Sequence, residues 1–328
     1  MHQTPASEAA TSPAPGGARI ASVDALRGLV ITLMVFVNDL AGAPQAPSWL
    51  KHVGTNADAM TLPDVVFPAF LFIAGVSVPL AFSRALAQGQ TRGQLLWKAL
   101  VRTWALLVMG VVMVNMEKHE PWERGLWGAL AYVAMFLAFA VVPARQGRGR
   151  AVLRIGRVAG SVALAALMLS YRNADGKAMI LGPLFDPSDT VWLRHSWWGI
   201  LGLIGWAYLV ASLVYLVAGR RREWMVGATG WLVLLFVAAR SDLPAQLASR
   251  AWLGWATPAL AALEAAFGWV NGHVGIGVAL GSHASIAVAG CCLGSILTDG
   301  SEVREPAQRL RWALAFAAGL FLAGVVLD

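Results

Sequence analysis

The stretch that decides the fold is residues 63–83, PDVVFPAFLFIAGVSVPLAFS, which carries a single charge near its start. A helix of roughly 17 to 25 mostly apolar residues is long enough to cross the ~30 Å of hydrocarbon in a bilayer. The whole chain has the same character, because 58% of its residues are hydrophobic and only 13% are charged. A soluble domain has about 25% charged residues. The sequence therefore predicts a polytopic membrane protein.

Eight other segments resemble this one in length and hydropathy. The nine predicted spans are residues 28–44, 63–83, 97–115, 125–143, 152–170, 196–218, 224–239, 275–298 and 309–327, with residues 251–270 as a candidate tenth. Only α-helices and closed barrels satisfy all backbone hydrogen bonds in lipid, and these runs lack the alternating pattern of barrel strands. We therefore expect an all-α transmembrane bundle of eight to ten helices.

The distribution of basic residues predicts the orientation of the chain. With nine alternating spans, 17 Lys and Arg residues fall on one face of the membrane and 8 on the other, which accounts for all 25. The more basic face is expected to be cytoplasmic, and the N-terminus lies on it. We therefore expect a cytoplasmic N-terminus, and the bacterial-type protein proposed below would lie in the inner membrane. The same asymmetry explains the sequence pI of about 10 without a nucleic-acid partner.

The spans follow one another closely, so one transmembrane domain is predicted for residues 19–328. Residues 1–18 are rich in Ala, Pro, Ser, Thr and Gly and are predicted to be a disordered tail. The only cysteines, Cys291 and Cys292, are adjacent in an apolar helix, where their side chains diverge. We interpret both as packing residues.

Polar residues gather between the first two predicted helices. Asn38 and Asp39 end the first helix, His52 lies in the connection, and Asp64 opens the second. A neutral imidazole can serve as a base or an acyl acceptor near pH 7, and an amide can hold a substrate carbonyl. Thr61-Leu62-Pro63-Asp64 is typical of a helix N-cap, and Asp64 can in addition accept the ring proton of His52.

Two further groups of polar residues lie near helix ends. Asp24 and Arg27 are three apart, so they share a helical face and can form an interfacial ion pair or bind something from the cytoplasm. The residues around Ser282 and His283 are small and polar, which allows close packing while a histidine faces the interior. The histidines lack the spacing and the cysteine partners of a zinc site, so no metal is predicted.

Three motifs resemble the heparan-alpha-glucosaminide N-acetyltransferase family and its bacterial relatives. They are SVDALRG at residues 22–28, LMVFVN at residues 33–38 and DVVFPAFLFIAGVS at residues 64–77. The resemblance implies that an acetyl group moves from cytoplasmic acetyl-CoA across the membrane to the amino group of a terminal glucosamine. It also implies that Asn38 and His52 carry the reaction. Because relatives carry further C-terminal helices, we expect this chain to lack some of them.

These observations predict an acetyl-CoA-dependent N- or O-acetyltransferase that acts on a sugar amine or hydroxyl at the outer face. His52 is expected to be the acyl acceptor or the general base, with Asn38 and Asp64 beside it. Substrates are expected to contact Asp24, Arg27, Asp39, Ser282 and His283. The expected partners are acetyl-CoA, a saccharide, the lipid bilayer and, as a candidate, a second copy of the chain. The alternatives are a solute transporter or flippase without covalent chemistry, and an inactive membrane scaffold.

Overall fold

The computed structural model describes residues 20–40, 43, 45–53, 59–116, 121–140, 148–171, 199–219, 221–240, 257–298, 301, 303 and 305–327. Within these ranges the chain forms ten α-helices and no strand, which confirms the all-α expectation. The helices are α1 (Ala21–Leu40), α2 (Leu62–Ala87), α3 (Arg92–Met116), α4 (Pro121–Phe139), α5 (Arg148–Ser170), α6 (Gly199–Ala218), α7 (Arg222–Arg240), α8 (Thr257–Val274), α9 (Ala284–Ile296) and α10 (Pro306–Leu327). A π-helical segment, Ile276–His283, leads directly into α9, and a 3-10 turn, Ser48–Leu50, lies between α1 and α2.

Seven spans in the described part of the chain are long and apolar enough to cross a membrane. They are α1, α2, α3, residues Gly149–Ser170 of α5, α6, residues Arg222–Ala239 of α7, and Ile276–Ile296, which joins the π-helical segment to α9. Each of the nine predicted spans overlaps a helix, and α8 overlaps the candidate tenth. The number of helices that cross the membrane and the side of the N-terminus stay predictions. The predicted tail, residues 1–18, lies outside the described residues.

The helices α2 and α9 pack closely against each other, and glycines make this approach possible. A Cβ atom added at Gly75, Gly290 or Gly294 would overlap a backbone carbonyl of the facing helix. Small residues at such contacts let two membrane helices pack backbone to backbone. Cys291 lies in the same interface, fully buried and unpaired, with its Sγ 3.2 Å from the Gly75 carbonyl oxygen. This agrees with the packing role expected for the cysteines.

The Gly290→Ala substitution tests this packing. The added methyl group would overlap the Phe72 carbonyl, so we expect α2 and α9 to separate at a cost of about 1 to 3 kcal/mol in the free energy of unfolding. The matched control is Gly230→Ala in α7, where a Cβ meets nothing within 4 Å. The control should be neutral or slightly stabilising, because alanine is the better helix former. Thermal midpoints in detergent measure both, and equal midpoints would contradict the close approach.

The helix α1 packs on the bundle mainly through α2. Its buried residues, Val23, Val30 and Val37, are spaced by seven and form one narrow stripe. Arg27 Nη2 donates a 2.8 Å hydrogen bond to Ser77 Oγ and joins the two helices near one end. The buried valines extend over 14 residues of α1, and the Arg27–Ser77 bond joins this helix to α2. The two helices therefore lie side by side along most of the length of α1.

The Arg27–Ser77 bond sets the register of the α1–α2 pair. From this bond Asn38 lies 11 residues along α1 and Asp64 lies 13 residues back along α2. Consecutive membrane-spanning helices joined by a short connection run in opposite directions. At about 1.5 Å per residue these separations are roughly 17 and 20 Å, so Asn38 and Asp64 lie at the same end of the pair. We call this end the histidine end, and the end that carries Arg27 and Arg84 the arginine end.

Candidate functional site

A histidine and an aspartate form a hydrogen-bonded pair at the histidine end. His52 Nδ1 lies 2.6 Å from Asp64 Oδ1. An ionised carboxylate can only accept hydrogen bonds, so Nδ1 carries the proton and donates it, and Nε2 keeps its lone pair. The side chain of His52 is 67% exposed and that of Asp64 is 25% exposed. The contact predicted from the sequence is therefore present, and its geometry leaves Nε2 accessible.

The same carboxylate also caps α2. Asp64 Oδ2 accepts a hydrogen bond of 3.0 Å from the backbone N–H of Thr61, which is the N-cap residue, and a proline follows in the first turn. The Thr61 hydroxyl lies 2.7 Å from both Asp64 Oδ2 and the carbonyl oxygen of Lys51, and it can donate its one proton to either. The capping motif predicted from the sequence is confirmed. It ties the segment that carries His52 to the start of α2.

The two polar residues that end α1 lie at this end but do not join the pair. Asn38 and Asp39 are both exposed. Among the described residues, neither forms a hydrogen bond with His52 or Asp64. Asn38 was predicted to lie beside the imidazole, and the structure does not bring its amide into hydrogen-bond contact with His52.

A second histidine lies at the histidine end, at the junction of the π-helical segment and α9. His283 Nδ1 lies 2.7 Å from the Val278 carbonyl oxygen, and the imidazole packs on the Phe67 ring with centroids 5.3 Å apart. Phe67 follows Asp64 by three residues, so the two share a face of α2 about one turn apart. Ser282 is half-buried beside His283. Ser282 and His283, both predicted as site residues, thus lie at the histidine end, and His283 contacts α2 one turn from Asp64.

A cavity of about 600 Å³ lies at the arginine end, between α1, α2, α3 and α6. The Asp24–Arg27 pair predicted from the sequence lines it, with Arg27 Nη1 3.3 Å from Asp24 Oδ1. Arg84 and Arg102 also line it, so its described wall carries three guanidinium groups and one carboxylate. The wall is strongly basic and therefore suits an anionic ligand.

Sequence reasoning missed Arg84, Arg102 and Tyr208 as members of this cavity. Arg102 Cζ lies 4.9 Å from the centroid of the Tyr208 ring, a cation–π contact that joins α3 to α6. In the sequence these arginines contribute only to the count of basic residues near helix ends. These residues meet because of how α3 and α6 pack against α2. Their spacing in the sequence does not predict this contact.

The cavity runs along α2 toward the histidine end. Its lining extends on α2 from Arg84 to Phe70, which are 14 residues apart or roughly 21 Å. Phe70 follows Asp64 by six residues, so roughly 9 Å of helix separates the inner limit of the cavity from the His52–Asp64 pair. No group of three or more potential metal ligands occurs among the described residues.

The described part of the chain is an all-helical bundle with seven apolar spans, the architecture of a polytopic membrane protein. It carries a histidine–aspartate pair at one end of α1 and α2 and an arginine-lined cavity toward the other. The chain belongs to the DUF5009 family, described as a domain of unknown function, whose model matches residues 19–261. Over 97 residues it is 39% identical to heparan-alpha-glucosaminide N-acetyltransferase of Mus musculus and 38% identical to that of Homo sapiens. Each match covers 30% of this chain but only 14% of the relative's length. The resemblance noted in the sequence is thereby confirmed.

Proposed function

We propose that the protein is a membrane acetyltransferase that moves an acetyl group from acetyl-CoA to an amine or hydroxyl of a sugar. The observation that carries the proposal is the 2.6 Å hydrogen bond between His52 Nδ1 and Asp64, which directs a free Nε2 lone pair away from the fold. The similarity to two N-acetyltransferases supports the same reaction class.

His52 can act in either of two ways. As a nucleophile, its Nε2 attacks the thioester carbonyl, the carbon–sulfur bond breaks, and CoA leaves as a thiolate while the acetyl group stays on the ring. As a general base, Nε2 removes a proton from the acceptor while both substrates are bound. In both routes the ring becomes cationic, and the Asp64 carboxylate stabilises that charge across the short hydrogen bond.

Acetyl-CoA is proposed to bind at the arginine end. Guanidinium groups pair with phosphate oxygens through charge-assisted, often bidentate hydrogen bonds, and Arg27, Arg84 and Arg102 supply three of them. The Asp24 carboxylate orients Arg27. The positive-inside asymmetry supports this end as the cytoplasmic one, where acetyl-CoA is found. With the likeness to bacterial relatives, it leads us to propose an inner membrane as the location.

The length of the CoA arm is comparable with the distance along α2 from the arginines to the histidine end. The arm of CoA between diphosphate and sulfur has about twelve bonds, and at the reach of an extended chain it spans roughly 14 Å. Anchored at the level of Ser77, such an arm brings its thioester within roughly 6 Å of the level of Asp64 along α2, the scale of a single side chain. The acyl group then comes near His52 while the nucleotide stays at the opposite end.

The sugar acceptor is proposed to bind at the histidine end. Its hydroxyl groups require hydrogen-bonding partners, and Asn38, Asp39 and Ser282 offer exposed or half-buried polar groups there. An acetyl group that enters from one end and an acceptor that enters from the other account for transfer across the membrane. Glucosamine comes from the names of the relatives, and the chemistry suits other amino or hydroxyl sugars equally.

The direct test uses the purified protein in detergent with acetyl-CoA and a panel of glucosaminides. We expect release of the CoA thiol that depends on the acceptor, together with acetylated sugar detected by mass spectrometry. Folded protein that transports a saccharide in proteoliposomes without acetyl-CoA, and releases no thiol, would overturn the proposal in favour of a transporter.

The Arg102→Gln substitution tests the nucleotide site. Each hydrogen bond to a charged group contributes about 1.5 to 3 kcal/mol, so we expect the KM for acetyl-CoA to rise at least 10-fold. The KM for the sugar and the thermal midpoint should change little, because Arg102 is exposed. Arg154→Gln, an exposed arginine of α5 outside the cavity, is the matched control and should leave both constants unchanged. If Arg102→Gln and Arg154→Gln had equal KM values for acetyl-CoA, the proposed nucleotide site would be wrong and acetyl-CoA would have to bind elsewhere.

A further inference from the structure

Transfer through an acetylated His52 requires a second base. Once Nε2 carries the acetyl group and Nδ1–H is donated to Asp64, neither ring nitrogen of His52 can accept a proton. An attacking amine or hydroxyl must nevertheless lose one proton as its bond to the acetyl carbon forms. A group at the histidine end with a free lone pair can accept it directly.

The hydrogen bond of His283 gives it the required tautomer. The Val278 carbonyl oxygen can only accept, so His283 Nδ1 carries the proton and Nε2 keeps a lone pair. Among the described residues Nε2 has no hydrogen-bond partner, and the atom keeps some solvent-accessible surface. His283 and His52 therefore hold the same tautomer and each offers an Nε2 lone pair.

A π-helical backbone before His283 makes the hydrogen bond to the Val278 carbonyl possible. Gly275 adopts a left-handed conformation with φ +70°, and eight residues of π-helix follow it up to His283. The wider turn brings the Val278 carbonyl, five residues earlier, to the imidazole. Asn271 Oδ1 accepts a hydrogen bond from the Gly277 N–H and holds the start of the segment. Such π-helical insertions are costly and are frequently found at functional sites.

The position of His283 brings it to the reacting groups. Its ring packs on Phe67, and Phe67 lies one turn from Asp64 on the same face of α2. Neighbouring side chains one turn apart have Cβ atoms about 5 to 6 Å from each other, so the His283 ring is on the order of 10 Å from the Asp64 carboxylate. An acceptor bound at the histidine end can therefore reach His283 Nε2 directly or through one water molecule.

We propose that His283 is the general base of the second half of the reaction, a role that rests on the proposed function. The acceptor nitrogen or oxygen forms a bond to the acetyl carbon, and the bond from that carbon to His52 Nε2 breaks. The bonding pair returns to Nε2, so His52 becomes neutral again. The acceptor proton moves to His283 Nε2, which takes up the positive charge that His52 gives up.

The His283→Asn variant isolates this role. The asparagine amide nitrogen can replace Nδ1 as the donor to the Val278 carbonyl, so the π-helical segment keeps its hydrogen bond while the Nε2 base is lost. We expect radiolabelled acetyl-CoA to acetylate His283→Asn protein, with release of CoA thiol, as fast as wild type. The decay of the label after addition of glucosaminide should be about 100-fold slower or more, the usual contribution of a general base.

The control on the same helix is Ser295→Ala, which removes only a hydrogen bond to the Cys292 carbonyl and should change neither rate. Decay of the label at the wild-type rate in His283→Asn would overturn the proposal, as would loss of the first burst of thiol. Wild-type protein that turns over without ever carrying the label would also overturn it, while leaving the acetyltransferase proposal intact. Failure of wild-type protein to release thiol at all would instead refute the proposed function.

Discussion

The His52→Ala variant is expected to lose acetyl transfer almost completely, with kcat/KM lower by on the order of 10⁴-fold. Removal of a nucleophile or of its base costs this much in enzymes where the two act as one unit. The imidazole is 67% exposed and its only described hydrogen bond is to Asp64, so the fold should survive the change. Turnover measured by thiol release, with the thermal midpoint measured in parallel, checks both statements.

A matched control separates the loss of the imidazole from a disturbance of its loop. Met60→Ala removes an exposed side chain, 74% accessible, from the same connection. It should leave turnover within a factor of a few of wild type. If His52→Ala retained full turnover at an unchanged thermal midpoint, the acyl group would have to pass through another residue, and His283 would be the next one to test.

The Asp64→Asn variant should lower kcat by about 10²- to 10⁴-fold while the KM for acetyl-CoA changes little. An amide can donate to Nδ1, which moves the ring proton to Nε2 and removes the lone pair that reacts. The amide also lacks the negative charge that stabilises the cationic ring. The measurement is steady-state turnover with each substrate varied in turn.

Because Asp64 also caps α2, the Asp64→Asn variant loses stability as well as turnover, and the two effects must be separated. We expect a cost of about 1 kcal/mol in the free energy of unfolding. The chain offers its own control, because Gln94 forms the equivalent motif at the start of α3 with Thr91, at 3.0 and 3.2 Å. Gln94→Ala should lower the thermal midpoint by a similar amount and leave turnover unchanged. If Asp64→Asn and Gln94→Ala lost turnover to a similar extent, Asp64 would have only a structural role.

Local chemistry in the sequence predicts much of the fold and part of the site. Hydropathy over about twenty residues sets where helices lie, and the N-cap of α2 follows from Thr61, Pro63 and Asp64 alone. The Asp24–Arg27 pair follows from a spacing of three. The His52–Asp64 bond spans twelve residues and was still predictable, because a capping residue fixes one partner and a short connection holds the other.

The sequence alone does not predict contacts between distant segments. Arg102 and Tyr208 meet only because α3 and α6 pack side by side, and the cavity they line exists only in the assembled bundle. The π-helical segment is equally hidden, since Ile276–His283 has the hydropathy of an ordinary membrane helix. Asn38 was predicted beside His52 because it ends α1, but a side-chain contact between them depends on the angle between helices, which hydropathy does not encode.

The double use of Asp64 has an evolutionary consequence. A lineage of this chain that no longer needed the chemistry would still be selected to keep an acid at that position, because the first turn of α2 depends on it. His52 has no such protection, since it is exposed and supports no other part of the described fold. Random drift should therefore erase the histidine first, so among DUF5009 proteins a retained loop histidine is the better marker of those still under selection for catalysis.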